Sequence, residues 1–137
     1  MYFLKAHNAV TFFLTGLIWI VQLVHYPMFA AIDASRFRKT HEFHSTRISY
    51  IVAPAMLAEL ILAVVLLMRR DLPLAARASA LGLVLLIWAV TFLIMIPFHQ
   101  RLASGDRIAE NISSLVRWNW IRTIAWSARA AICFFYF

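Results

Sequence analysis

FRKTHEFHSTRISYIVAPAMLAEL, residues 37–60, sets His41 and His44 three positions apart and places a carboxylate, Glu59, deep in an apolar run 18 residues beyond His41. On a helix the two histidines occupy neighbouring positions of one face, and a neutral imidazole nitrogen is a good metal ligand. Together with His25 or His99 and the carboxylate of Glu42, the pair could bind copper, iron or zinc. Alternatively His25 and His99, on facing helices, could clamp a haem, as bundle proteins hold cofactors in their cores. Two plainer roles compete: protonation or substrate binding without a metal, and hydrogen bonding of interfacial histidines to lipid phosphate.

Glu59 raises a separate question, because its neighbours belong in lipid. An ionised side chain in hydrocarbon is costly unless paired. Arg122 and Arg129, seven residues apart, fall on one side of the last helix together with Trp118 and Trp126. Counting about 1.5 Å per residue from Ile48 and Leu115, Glu59 lies about 16 Å down, Arg122 about 10 Å and Arg129 about 21 Å. A Glu59 pair with Arg122 or Arg129 is therefore expected. Such a pair could fix helix register, or Glu59 could transfer protons or hold a charged ligand. His41 and Glu59 share a face if the helix runs unbroken from about Ser35, with Pro54 as a possible kink.

The elements that must position these residues are four apolar segments, 3–26, 48–68, 78–98 and 115–137. Each reaches the roughly 20 residues a helix needs to cross a hydrocarbon core. In a chain of 137 residues with 64% apolar and 14% charged residues, that predicts a single all-α domain, a four-helix transmembrane bundle. Continuously apolar segments of this length argue against barrel strands. The first segment reads as a retained span rather than a signal peptide, since Asn8, Thr11, Thr15 and Gln22 interrupt it with helical spacing. The expected connections are 27–47, 69–77 and 99–114, leaving no room for a soluble domain or a glycine-rich phosphate loop.

Basic residues bias the two sides. Arg36, Arg38, Lys39, Arg47, Arg101, Arg107 and Arg117 lie with loops 1 and 3, against Lys5, Arg69, Arg70 and Arg77 opposite. The positive-inside rule then puts loops 1 and 3 in the cytoplasm of an integral protein, as in the bacterial inner membrane. The net charge of +7 suits the anionic lipid bilayer, and no motif points to nucleic acid.

On helix 1, Asn8, Thr11, Thr15, Gln22 and His25 or Tyr26 form a stripe that should face the other helices. Four of the five histidines can converge at one rim, with His7 at the other. Trp118 and Trp120 fit an aromatic belt, while Trp19, Trp88 and Trp126 are deeper and could pack or line a pocket for a flat aromatic ligand. Cys133, the single cysteine, lies on the side away from most histidines, which argues against a Cys/His nucleophile. Helices 1 and 3 each end in proline and histidine, an echo that suggests a two-helix repeat.

The proline-terminated first helix, Phe37 to His44 with its F-x(3)-H-x-x-H pattern, Pro97-Phe98-His99-Gln100-Arg101-Leu102 and Asn119-Trp120-Ile121-Arg122 together resemble the small four-helix membrane proteins of the anthrone-oxygenase-like group. Where members carry an asparagine-arginine pair after the helix 3 proline, this chain has His99 and Arg101. The resemblance implies oxidation of an aromatic ring system by dioxygen and carries over Arg101, Asn119 and Arg122 as candidate catalytic residues beside Glu59. A looser likeness, through Lys5-Ala6-His7, is to the small membrane-type protoporphyrinogen oxidase, although no lysine stands inside the third span.

These readings converge on a small membrane oxidoreductase acting on a flat aromatic or lipophilic substrate. His41 and His44 would be its metal ligands, and His25 and His99 its cofactor-binding residues. The rival readings are a non-catalytic accessory subunit of a larger membrane complex that binds lipid or pigment, and a small proton-coupled carrier working as a homo-oligomer.

Overall fold

The structure, a computed structural model, describes residues 2–137. It contains four long helices: α1 (Tyr2–Ala31), α2 (Ala34–Leu67), α3 (Leu74–Ser104) and α4 (Ile108–Tyr136). Each helix packs against its neighbours in sequence, and α1 closes the ring against α4. The chain is an all-α four-helix bundle. Helices α1, α2 and α3 are long and apolar enough to cross a membrane. Helix α4 matches them in length, and its lower apolarity comes from residues turned inward, including Asn111, Asn119, Arg122, Thr123 and Arg129.

The distribution of polarity is the reverse of a soluble bundle. Phe12, Phe13, Leu23, Ile61, Leu86, Leu93, Ile124 and Phe134 face outward, while His7, Thr11, Gln22, His41, Glu59 and Arg129 are buried. Such an arrangement suits a lipid surround, where outward side chains must be apolar and inward polar groups must satisfy one another.

The helices run further than the apolar segments. Residues 27–47 were expected to form a connection, yet all but 32–33 are helical, and α3 continues to Ser104. The reason lies in the segment's amphipathic pattern. Phe37 and His41 are buried on one face of α2's first turns, and Arg36, Arg38, Lys39 and Glu42 take the exposed one. Helix α3 ends where Gly105 adopts a left-handed φ of 81°, with Gly105 and Asp106 amides returning to Leu102 and Arg101 carbonyls. At the other end, Arg77 donates to the Leu67 carbonyl at 2.7 Å. In the adjoining turn, the hydrogen bond from Arg69 holds the Asp71 carboxyl down at about 2.

Helices α1 and α3 each contain one π turn, Val21–His25 and Thr91–Met95, followed immediately by Tyr26-Pro27 and Ile96-Pro97. The amide before each proline reaches back five residues, Tyr26 to Val21 and Ile96 to Thr91. A proline lacks an amide proton and its ring crowds the carbonyl four residues earlier, so a widened turn absorbs both defects without breaking the helix. The two devices lie 70 residues apart, and the same interval separates Glu59 from Arg129. The two helical hairpins therefore correspond in position as well as in their prolines. Near Ala63, Ala76 and Ala80 small side chains let α2 and α3 approach closely. Towards the histidine-bearing end the same two helices diverge around a cavity.

Candidate functional site

Two polar assemblies occupy the bundle, about 27 Å apart along α2 if measured from His41 to Glu59 at 1.5 Å per residue. The deeper one is centred on Arg129. Its Nε donates to Glu59 Oε1 at 3.0 Å, and its Nη1 donates to the Ala80 carbonyl. Its Nη2 donates to Thr11 Oγ1 at 3.2 Å and lies 3.3 Å from His7 Nε2. Thus one guanidinium on α4 is bound to α1, α2 and α3. Glu59 is also fully engaged, because Thr11 donates to Oε1 at 3.3 Å and the Trp126 indole to Oε2 at 2.9 Å. Every charge here has partners, as burial in a low-dielectric interior requires.

The second assembly is at the rim where α1 and α3 end and α2 begins. His41 Nε2 lies 3.0 Å from His99 Nδ1, and His99 Nε2 lies 3.1 Å from the Tyr26 hydroxyl. A neutral imidazole carries one N–H and one lone pair, so Tyr26, His99 and His41 form a chain that can be polarised in either direction. The chain's free end is His41 Nδ1, buried with no partner. His44 packs edge-on against His25 with ring centroids 5.0 Å apart, and Phe29 stands against both His41 and His44. The π turn sets this geometry, since it buries Tyr26 while leaving His25 half-buried.

Between the two assemblies, Gln22 Oε1 accepts from Asn119 Nδ2 at 2.8 Å and from Thr123 Oγ1 at 3.3 Å, and Gln22 Nε2 donates to the Val116 carbonyl at 3.1 Å. Asn119 in turn accepts from Arg122 Nη1 at 3.2 Å. The Arg122 guanidinium lies over the Trp126 ring, 5.2 Å from its centroid. Trp126 therefore touches both regions, with its indole N–H on Glu59 and its face under Arg122.

A cavity of about 760 Å³ opens between α2 and α3 beside the histidine chain. His41, His44, Ser45, His99 and Arg122 supply polar atoms to its wall. Met56, Val52, Trp88, Phe92, Met95 and Trp126 supply an apolar one, and Arg38 and Glu42 lie at the exposed mouth. Its size and its few polar groups on an apolar lining suit a small lipophilic molecule.

Of the residues singled out by sequence, His25, His41, His44 and His99 gather at one rim, and Asn119 and Arg122 lie in the adjoining network. Glu59 joins Arg129 and not Arg122. His99 is paired with His41 and Tyr26, whereas His25 faces His44 and does not line the cavity. Arg101 lies outside: it is exposed, 5.6 Å from the Phe98 ring, because two helical steps beyond His99 turn it about 200° away. Among the described residues no three His, Cys, Asp or Glu side chains group as a metal ion needs, and the His41–His99 contact is a hydrogen bond. The set therefore does not fit a multidentate metal centre, and a haem clamped by His25 and His99 finds these two on different partners.

Sequence reasoning passed over three contributors: His7 as a partner of Arg129, Trp126 as a donor to Glu59, and Phe29 as the wall between histidines. His7 carried a signal, standing four residues before Thr11 on the same face of α1. No family model matches the chain, and no curated protein or solved structure does either.

Proposed function

We propose that this chain is an integral protein of the bacterial inner membrane that binds a flat, lipophilic aromatic molecule between α2 and α3 and acts on it as an oxidoreductase. The observation that carries the reading is the position of the Tyr26–His99–His41 chain beside an apolar cavity of about 760 Å³. An apolar body would rest on Trp88, Phe92 and Met95 while its reacting edge faces the imidazoles. All four helices cross the bilayer in this reading, with the start of α2 and the end of α3 in the cytoplasm.

The resemblance to the anthrone-oxygenase-like group suggests the reaction. A ring CH2 opposite a carbonyl in the same ring becomes a second carbonyl, one dioxygen is consumed and one water is released. Such a step begins with loss of an acidic ring proton. In this reading His41, a residue of the cavity wall, accepts it, and His99 and Tyr26 redistribute the resulting charge. Metal or haem chemistry is not part of the proposal, because the donors do not group around one point.

The test is to supply anthrone in air to purified protein in nanodiscs and quantify anthraquinone against a protein-free blank. Turnover above the blank that is lost in His41→Gln is expected. No turnover, together with no quenching of tryptophan fluorescence by the product, would overturn the enzyme reading and favour a non-catalytic subunit of a larger membrane complex.

A further inference from the structure

Among the described residues two arginines are buried in the bundle, Arg122 and Arg129, and only one carboxylate, Glu59, is buried with them. Arg129 takes that carboxylate. Glu59 has nothing left for Arg122, since Oε1 accepts from Arg129 and Thr11 and Oε2 accepts from Trp126. Among the described residues Arg122 makes no salt bridge, and the side-chain acceptors beside it, the Asn119 oxygen at 3.2 Å and the Tyr26 hydroxyl, are both neutral. Its Nε is buried without a partner. The acid nearest the cavity mouth, Glu42, is exposed on α2.

A guanidinium does not escape this position by losing its proton, because its intrinsic basicity is too high. The ring of Trp126 beneath it supplies some compensation, but an aromatic face does not replace a full counter-charge. What Arg122 has that Arg129 lacks is access to the cavity, whose wall it forms together with Trp126.

We infer that the cavity's ligand carries an acidic oxygen, a carboxylate, phenolate or enolate, which docks on Arg122 and supplies the negative charge that the chain does not. The inference rests on the reading that this cavity holds a lipophilic molecule, and it narrows the class to lipophilic acids. Met56, Trp88, Phe92 and Met95 take the apolar body, and Asn119 holds the guanidinium in place through Gln22. A lipophilic acid can come from two sources, an aromatic acid or a fatty acid of the surrounding membrane, and both share this anchor.

The experiment uses the full chain in phosphatidylcholine nanodiscs, with tryptophan fluorescence as the signal and partition into empty nanodiscs subtracted. The probes are anthraquinone-2-carboxylate and its uncharged carboxamide, with laurate as competitor. The acid should bind about 10- to 100-fold more tightly than the amide, the range for a hydrogen bond to a charged group. Arg122→Gln should abolish that preference and Arg122→Lys should retain part of it. Equal affinity of acid and amide for the unaltered chain overturns the inference whether or not the variants fold, as does a preference that survives in Arg122→Gln. Lack of saturable quenching by either probe overturns the cavity reading itself and the inference with it. Displacement of the aromatic acid by laurate supports the charge anchor and assigns it to a membrane fatty acid, while acid preference without displacement supports it and assigns an aromatic acid.

Discussion

Arg129 Nε lies 3.0 Å from Glu59 Oε1 across the diagonal of the bundle, joining α4 to α2 with both side chains closed off from the exterior. Because the guanidinium also reaches Thr11, His7 and the Ala80 carbonyl, this one pair ties all four helices together. Removing the carboxylate leaves a buried cation. Glu59→Gln should cost about 3–5 kcal/mol of unfolding free energy in mixed micelles. A combined Glu59→Leu, Arg129→Leu chain should be more stable than Glu59→Gln alone, since removing both members strands neither charge of the pair. A melting profile for Glu59→Gln that overlays the unaltered chain would contradict this account of the pair.

The histidine chain makes a kinetic prediction. Tyr26→Phe removes the hydroxyl 3.1 Å from His99 while keeping the aromatic body that fills the core. Ligand affinity should change by less than about threefold, and turnover should fall about 100-fold, at the lower end of what a positioned proton-transfer group contributes. The solvent deuterium isotope effect should change as well. An unchanged isotope effect would remove Tyr26 from the relay.

Metal removal provides a third prediction. His41 and His99 are bonded to one another, so prolonged dialysis against a chelator should leave ligand affinity unaltered within about twofold, and the purified protein should show no Soret band. Loss of binding after chelation, restored by copper, iron or zinc, would show that the four rim histidines regroup around an ion.

The π turn of α1 can be tested by deletion. Val24 is exposed within the turn, and removing it restores the ordinary helical register. Every residue beyond it is then rotated by about 100°, which carries Tyr26 away from His99. Binding in the cavity should be lost while the Glu59–Arg129 end, below the deletion, keeps its thermal stability to within a few degrees. A deleted chain that binds as before would mean that the turn does not set the rim.

Orientation is checked by single cysteines in a chain with Cys133→Ser. A cysteine at Lys39 should be shielded from a membrane-impermeant thiol reagent in intact cells, and one at Arg70 should react. The opposite pattern would invert the topology.

Much of the bundle can be read from the sequence because its signals are long. Four apolar segments set the helix number, and five full turns between His41 and Glu59 place both on one buried face of α2, which runs through Pro54 unbroken. Other features depend on local registry. Beyond Gln22 the π turn inserts one residue, so a regular stripe leaves His25 and Tyr26 equally placed, and only the widened turn buries Tyr26. The partner of Glu59 is likewise undetermined by depth, since Arg122 and Arg129 lie almost equally far above and below it; the rotation of α4 decides. Arg101 misled because short-motif likeness ignores the direction in which a continuing helix points a side chain.

The 70-residue interval that relates the two hairpins also relates an acid to a base. Two copies of the first hairpin would bury glutamate against glutamate, and two copies of the second would bury arginine against arginine, each an unanswered like-charge encounter in a dry interior. Only the mixed assembly sets Glu59 against Arg129. The halves are thus keyed to each other by charge: separately expressed fragments, cut in the exposed turn near Arg70, should recognise one another and reject themselves, so that heterodimer formation is encoded inside a single chain.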